Sequence, residues 1–246
     1  MKKIGAIVLA AGRGSRMKSV DVNKVALSVN DRPLILRTID ILEQSGIEEI
    51  VVVVGFAKES VMRLLPTHIK TAVQENQLGT GDAERVGLEE ISEDISDVLS
   101  VSGDDSFLYT PEIIQKMVSI HHDTNAAMTF ATVNLEDPKG YGRIIRDKNK
   151  KIVKIVEELN ATDEERKITE INAGCYLFNK KFLAENILRI KKNELKEEYY
   201  LTDILEIFIA ERYPISSVTI PIENWCGINT PDELQFAQKT LQEYEK

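Results

Sequence analysis

Through its first 125 residues the chain alternates short β-branched runs with stretches that repeat apolar residues at helical spacing. That rhythm restricts the fold more than any other feature. The runs at 4–10 and 50–54 are continuous and β-branched, as strands buried on both faces are. Between them, residues 33–44 line Leu34, Ile35, Ile39, Ile41 and Leu42 along a helix that Gly46 stops. The pattern goes on to predict a short helix at 61–65 ended by Pro66, a strand at 71–73 and a helix at 80–91. A strand at 98–102 and a helix at 111–121, with Pro111 in its first turn, follow. Such alternation predicts a parallel sheet with helices on both faces, and ligands beyond the carboxyl ends of its strands. After about residue 125 the pattern changes. Strands at 126–133, 143–146, 152–156 and 173–178, with little helix between them, read as an antiparallel section or second lobe. Helices at 181–190 and 202–211, a strand at 217–221 and a last helix at 231–244 bring the chain back to the core. No repeat, low-complexity tract or linker interrupts it, so residues 1–246 read as one domain with lobes at about 1–125 and 126–225.

The first strand runs into LAAGRGSRM, residues 9–17. A glycine-rich turn in that place lets backbone N–H groups approach phosphate oxygens without side chains in the way. Two familiar patterns fail: GxGxxG would need glycine where Met17 stands, and no Gly-Lys-Ser or Gly-Lys-Thr of a P-loop occurs. What remains is a loop carrying Arg13 and Arg16, with Lys24 just beyond. Arginine offers phosphate a fork of paired donors and lysine a mobile point charge. The net charge is −9, which excludes a general nucleic-acid surface. The first 24 residues nevertheless carry Lys2, Lys3, Arg13, Arg16, Lys18 and Lys24 against Asp21 alone, a local +5 suited to a small anion. Two further stretches join this loop. In QENQLGTGDA, residues 74–83, Gly79, Thr80 and Gly81 open a helix whose free N–H groups favour an acceptor, and Gln74 has the donor and acceptor needed to read a base edge. In VSGDD, residues 101–105, an acid at the end of a central strand faces the ligand crevice, where Mg²⁺ takes hard oxygen ligands. Side chains alternate along an extended chain, so one of the two acids is expected to be the ligand.

Taken together and in order, these stretches resemble the sugar nucleotidyltransferases, and among them the uridylyltransferase domain that makes UDP-N-acetylglucosamine in a bacterial bifunctional enzyme. LAAGRGSRM with Lys24 is similar to the family's LxAGxGTRM…PK, QENQLGTG to QxxQLGTG, and Gly103-Asp104 to its metal-binding GD. GYGRII at 140–145, VEE at 156–158, EINAGCYLF at 170–178, EEYYLTDIL at 197–205 and GIN at 227–229 complete the resemblance over nearly the whole chain. It implies an α/β fold: a Rossmann-like mixed, mainly parallel sheet flanked by helices, with a smaller antiparallel sugar-binding lobe. It also implies roles. Leu9, Ala10, Ala11, Gly12, Arg13 and Gly14, with Gln74, Gly79 and Thr80, would bind the nucleotide UTP. Arg16 and Lys24 would be catalytic on its triphosphate, and Asp104 and Asn229 would hold Mg²⁺. Gly140, Glu157, Asn172, Tyr200 and Thr202 would bind the sugar 1-phosphate, N-acetylglucosamine 1-phosphate first among them. A loop lysine supports little core, so loss of Lys24 should cost turnover more than folding.

The departures leave the nucleotide machinery largely intact and put the sugar in question. Asn23 replaces the usual proline before the lysine, which is expected to loosen the loop while keeping its charge. Asp105 and Ser106 stand where the family has a small apolar residue and proline, and Leu159 replaces a lysine after the sugar-binding glutamate. These leave two alternatives open: another hexose 1-phosphate or phosphorylated small molecule as substrate, and a nucleotide- or sugar-phosphate-binding module without turnover. His121 and His122, at the end of a predicted helix, read as solvent-facing or capping. Cys175 and Cys226 read as reduced thiols in a cytoplasmic protein, with no run long enough to span a membrane. No hexapeptide repeat is present, so acetyl transfer is not expected of this chain, and its oligomeric state is not legible.

Overall fold

The computed structural model describes residues 2–14, 21–194, 196–228 and 230–244. Its main sheet is built from β1 Ile4–Ala10, β2 Glu49–Val54, β3 Lys70–Val73, β4 Asp97–Ser102, β5 Met128–Asn134, β6 Arg143–Arg146, β7 Ile152–Val156, β8 Glu170–Asn179 and β9 Ile215–Thr219. The α-helices are α1 Leu34–Gln44, α2 Lys58–Met62, α3 Thr80–Glu90, α4 Pro111–Asp123, α5 Asp163–Arg166, α6 Lys180–Asn186, α7 Ile204–Ala210 and α8 Pro231–Tyr244. The strand order is β9-β5-β8-β4-β1-β2-β3, with β6 joined to β8 and β7 to β6. Neighbours β4, β1, β2 and β3 run parallel, as do β5 and β9. β8 is antiparallel to both β4 and β5, and the β8–β6 and β6–β7 pairs are antiparallel as well.

Alternate residues of the strands feed two faces. Ala6, Val8, Val52, Val54, Leu99 and Val101 meet Ile35, Ile39 and Leu42 of α1 and Ile114 and Met117 of α4. On the other face Ile7, Val51, Val53 and Val98 take Ala83 of α3. Further along that sheet Phe130, Tyr176 and Phe178 pack on Leu183 of α6 and Ile204, Leu205 and Phe208 of α7. The mixed, mainly parallel sheet flanked by helices agrees with the expectation. The antiparallel section after residue 125 is continuous with it, because β8 pairs Leu177 with Leu99 on one side and Thr129 on the other. The β6–β7 hairpin reaches out from β8 through Ile171 and Arg143.

Most element boundaries agree within two residues; β8 starts three residues before the expected 173, at Glu170, where it pairs with Asn134 of β5, and three helices differ at their ends for local reasons. The helix expected at 61–65 is α2, which starts earlier because Ala57 turns the chain at φ +50; Leu64 and Leu65 close turns after it. The helix expected at 181–190 ends as a 3-10 turn at Ile187–Arg189, and that at 202–211 begins as one at Leu201–Asp203. Among the described residues no helix is long and apolar enough to cross a membrane.

Candidate active site

At the carboxyl end of β1 the loop residues Ala11, Gly12, Arg13 and Gly14 lie beside the ends of β2 and β4. Phe56 N–H donates to Ala11 O at 3.0 Å and Gly103 N–H to Leu9 O at 3.1 Å, so the loop is fastened to both neighbours. Gly55 makes the close approach possible, since a Cβ there would lie 2.9 Å from Ala11 O. The Arg13 guanidinium sits over the Phe56 ring, 5.5 Å from its centroid. Arg16 and Asn229, expected catalytic and metal-binding residues, lie outside the described residues.

Asn23 corrects an expectation. Its side chain is buried, and Nδ2 donates to Ala10 O and Phe56 O at 2.9 Å and to Gly12 O at 3.3 Å. Oδ1 accepts from Val25 N–H at 3.1 Å, and its own N–H donates to Ser60 Oγ at 2.9 Å. Rather than loosening the loop, this asparagine ties the glycine turn to the segment after β2 and caps the turn that carries Lys24. Asn23→Pro, although it restores the residue common in similar sequences, should therefore destabilise this chain. It removes the bond to Ser60 and leaves buried carbonyls without donors, about 3 kcal/mol in all or roughly 10 °C in melting temperature. Thermal unfolding measures it, and an unchanged midpoint would show that the network carries no stability.

Lys24 Nζ pairs with Asp104 Oδ2, with both side chains largely buried. Asp104 Oδ1 accepts from Ser102 Oγ at 2.6 Å. Residues 103–105 form a turn, not an extension of β4, so the alternation expected of the two acids does not apply. Asp105 Oδ1 is sealed from solvent and has no hydrogen-bond partner. Burial, then the charge of Asp104, holds the Asp105 carboxyl well above the usual carboxylate range, against the pull of Lys24.

Gln74 is buried at the carboxyl end of β3, and its two amide hydrogens go to Gly79 O at 3.0 Å and Asp82 Oδ2 at 2.8 Å. Both donors of the side-chain amide are thus committed within the protein. Gly79, at φ +99, is required by crowding as well: a Cβ there would lie 2.5 Å from Tyr199 O. Tyr199 N–H donates to Leu78 O at 2.7 Å and Leu201 N–H to Thr80 Oγ1 at 3.0 Å. The turn opening α3 is thus bound to the segment that carries Tyr200 and Thr202. Thr202 Oγ1 in turn donates to Glu157 Oε1 at 3.3 Å, and burial raises the Glu157 carboxyl despite that bond. Next to it, burial and then the charges of Glu206 and Glu157 push Asp203 up to about 6. Asn172 Nδ2 donates to Tyr176 OH at 2.5 Å across a bulge in β8 at Gly174, φ +74. Gly140 N–H donates to Glu158 Oε2 at 3.0 Å, and buried Arg143 donates to the same oxygen at 2.7 Å. Leu159, in place of the lysine, stands in solvent at 68% exposure.

Two readings do not survive. Lys2 and Lys3 do not belong to the basic pocket: they pair with Asp97, and with Asp94 and Glu48, at the amino end of β1. The seven residues of β1 put them roughly 20 Å from the loop, at about 3.3 Å per residue. His121 is not solvent-facing, and His122 is half-buried. His121 is 1% exposed with Nδ1 3.0 Å from Thr129 Oγ1, and His122 Nε2 lies 2.9 Å from Oδ2 of fully buried Asp97. The cluster is remote from the site, at the start of β4. Cys175 and Cys226 are free thiols; burial pushes both up, Cys226 to about 11.

A profile of the family described as Nucleotidyl transferase matches residues 5–243. The chain is 40% identical over 241 residues to the bifunctional protein GlmU of Carboxydothermus hydrogenoformans, covering 98% of this chain and 53% of that protein. It is 38% identical over 244 residues to that of Geobacillus sp. WCH70, covering 99% and 53%. It spans about half the length of these curated relatives. Among solved structures, a Bacillus anthracis chain described as a glucose-1-phosphate thymidylyltransferase, in complex with sucrose, shares the fold at TM-score 0.79. That likeness covers 96% of this chain and 94% of the other at 21% identity.

Proposed function

This chain belongs to the nucleotidyl transferase family, and from that premise we propose that it transfers a uridylyl group from UTP to a sugar 1-phosphate, N-acetylglucosamine 1-phosphate. The observation that carries the reading is the meeting of Lys24 and Asp104 at the carboxyl ends of the central strands, beside the glycine turn. A nucleotide polyphosphate with its cation needs both a mobile positive charge and a hard anionic oxygen. The link from the α3 turn to Tyr200, Thr202 and Glu157 supports a sugar phosphate next to the nucleotide. The acceptor follows from the resemblance of the blocks around Glu157, Asn172 and Tyr200.

The donor set suits Mg²⁺: Asp104 offers carboxylate oxygens, and the unpartnered Oδ1 of Asp105 lies in the same turn. Asp104, with Asn229, would hold the ion, which when bound neutralises phosphate charge. The chain's own groups do the rest. Backbone N–H groups of the glycine turn and Gln74 Oε1 orient the nucleotide, while Arg16 and Lys24 stabilise the charge that builds on the phosphates. Glu157 and Thr202 hold sugar hydroxyls, with Gly140, Asn172 and Tyr200 around the ring and its phosphate. The sugar phosphate oxygen then attacks the α-phosphorus in line. The bond from that phosphorus to the bridging oxygen breaks, and pyrophosphate leaves with the electron pair. A phosphate oxygen is already ionised near neutral pH, so no general base is required, and positioning supplies most of the rate.

Pyrophosphate release with Mg²⁺, across four nucleoside triphosphates and a panel of sugar 1-phosphates, tests the reading. Release is expected with UTP and N-acetylglucosamine 1-phosphate. Release with a different pair would reassign the sugar or base site, and silence across the panel with nucleotide still bound would overturn the enzymatic reading.

A further inference from the structure

At the turn of the β6–β7 hairpin, against the end of α7 and β9, lies a cleft of about 400 Å³ that the proposed reaction leaves unused. Arg146, Lys150, Lys151 and Arg212 line it, and none of the described residues around it is acidic. Arg146 is spent on structure: it donates to Glu170 at 2.6 and 2.8 Å and to Ser217 Oγ at 2.9 Å. The other three cations have no carboxylate partner among the described residues. Asp147, the acid nearest to the lysines in sequence, accepts instead from the backbone N–H groups of Asn149 and Lys151, at 2.8 and 2.9 Å. In a chain of net charge −9, three unpaired cations around one cleft call for an anion.

Folding does not ask for them there. Lys150 has φ +62 in the hairpin turn, and Arg212 has φ +60 directly after α7. Both are left-handed positions that favour glycine: Lys150 N–H donates to Asp147 O, and Tyr213 N–H, after Arg212, returns to Phe208 O, each at 2.9 Å. The rest of the cleft shapes the body of a ligand. Ile209 and Ile215 give it apolar surface, and the Tyr213 ring is held by Phe182 and Phe208, at 4.6 and 5.4 Å between centroids. The volume is that of a small-molecule pocket. The cleft is also separate from the proposed sugar site. β7 leads from Ile152, at the cleft, to Val156 beside Glu157, so the two lie roughly 17 Å apart at about 3.3 Å per residue.

We propose that this cleft is a second binding site, for a phosphorylated small molecule. Its phosphate meets Lys150, Lys151 and Arg212, and its apolar or aromatic body lies against Ile209, Ile215 and Tyr213. Nothing in this depends on uridylyl transfer.

Calorimetric titration of the full chain with phenyl phosphate, beside inorganic phosphate and phenol, is the test. Phenyl phosphate should bind at least fivefold tighter than either, and weaken as added salt screens the cations. Lys150→Gly with Arg212→Gly should weaken it at least tenfold while the melting temperature holds or rises, because glycine suits both left-handed positions. Lys151→Gln, which alters no such position, should weaken it as well and keeps the test open if the double variant does not fold. Saturating UTP should leave phenyl phosphate bound. Displacement by UTP would put the anion in the nucleotide site and overturn the proposal. No binding by the unsubstituted protein at millimolar phenyl phosphate would overturn it, and so would unchanged affinity in the variants. Equal affinity for inorganic phosphate would overturn the organic ligand. Phenyl phosphate binding that these variants lose, with no pyrophosphate release under any substrate pair, would sink the proposed function and leave this site standing.

Discussion

Lys24→Ala is expected to lower kcat for pyrophosphate release by about 10²–10³, the loss typical of removing one preorganised donor from charge that develops in a transition state. A smaller effect on the KM for nucleotide should accompany it, because the contacts proposed for the glycine turn and Gln74 are ones this substitution leaves alone. Stability will not be untouched, contrary to what a loop lysine suggests in the sequence. Lys24 is largely buried against Asp104, so its loss strands a buried carboxylate at a cost of about 1–3 kcal/mol. The two effects separate in the double variant. Lys24→Ala with Asp104→Asn should recover melting temperature and none of the turnover. Wild-type turnover in Lys24→Ala would remove this lysine from the chemistry; recovery of turnover in the double variant would show that it acts only by neutralising Asp104.

Where local pattern decided the outcome, the sequence was legible. The β-branched runs became β1, β2 and β4, and Gly46 ended α1 at φ +82 as its place in the pattern implied. Where pairing between distant segments decided it, pattern was silent. Nothing local says that β8 should lie antiparallel between β4 and β5, since that choice rests on register such as Leu177 with Leu99. The same limit explains the site. Gln74 and Gly79, five residues apart, could be read as one turn, whereas the Lys24–Asp104 pair depends on the sheet bringing two loops together. Counting charges along the first 24 residues merged two ends of one strand, because a strand carries its termini far apart while a charge sum ignores distance. Asn23 and His121 depart from expectation for a related reason: a polar side chain is buried where partners exist, and those partners, Ala10, Phe56, Thr129 and Asp97, lie elsewhere in the chain. The Asn23 network had one local sign, an asparagine in position to cap the turn that begins at Lys24.

Glu84→Gln should flatten the pH dependence of stability between about pH 5 and 8. Glu84 lies in α3 with no exposed surface; Ser100 Oγ donates to its Oε2 at 2.6 Å, and Oε1 has no partner. Burial pushes its carboxyl up to about 8, and the serine hydroxyl opposes that only in part. The folded chain therefore holds a proton here that the unfolded chain releases near pH 4.5, so stability is highest below that value and falls as pH rises toward 8. At about 1.4 kcal/mol per unit, the loss from pH 5 to 7 is roughly 3 kcal/mol, or about 6–12 °C. Asp203, Asp105 and Glu157 have raised carboxyls too and slope the curve in the same direction, so the difference between the two proteins, not the curve of either, isolates Glu84. Glutamine keeps an acceptor for Ser100 but puts an amide N–H₂ where Oε1 had no partner, which costs about 1–3 kcal/mol at every pH. Near pH 5 the variant should melt below the unsubstituted protein, and by pH 8 above it, with the two midpoints crossing in between. Parallel melting curves across that range would mean that Glu84 is ionised in the folded state and that its burial is compensated by a group other than Ser100.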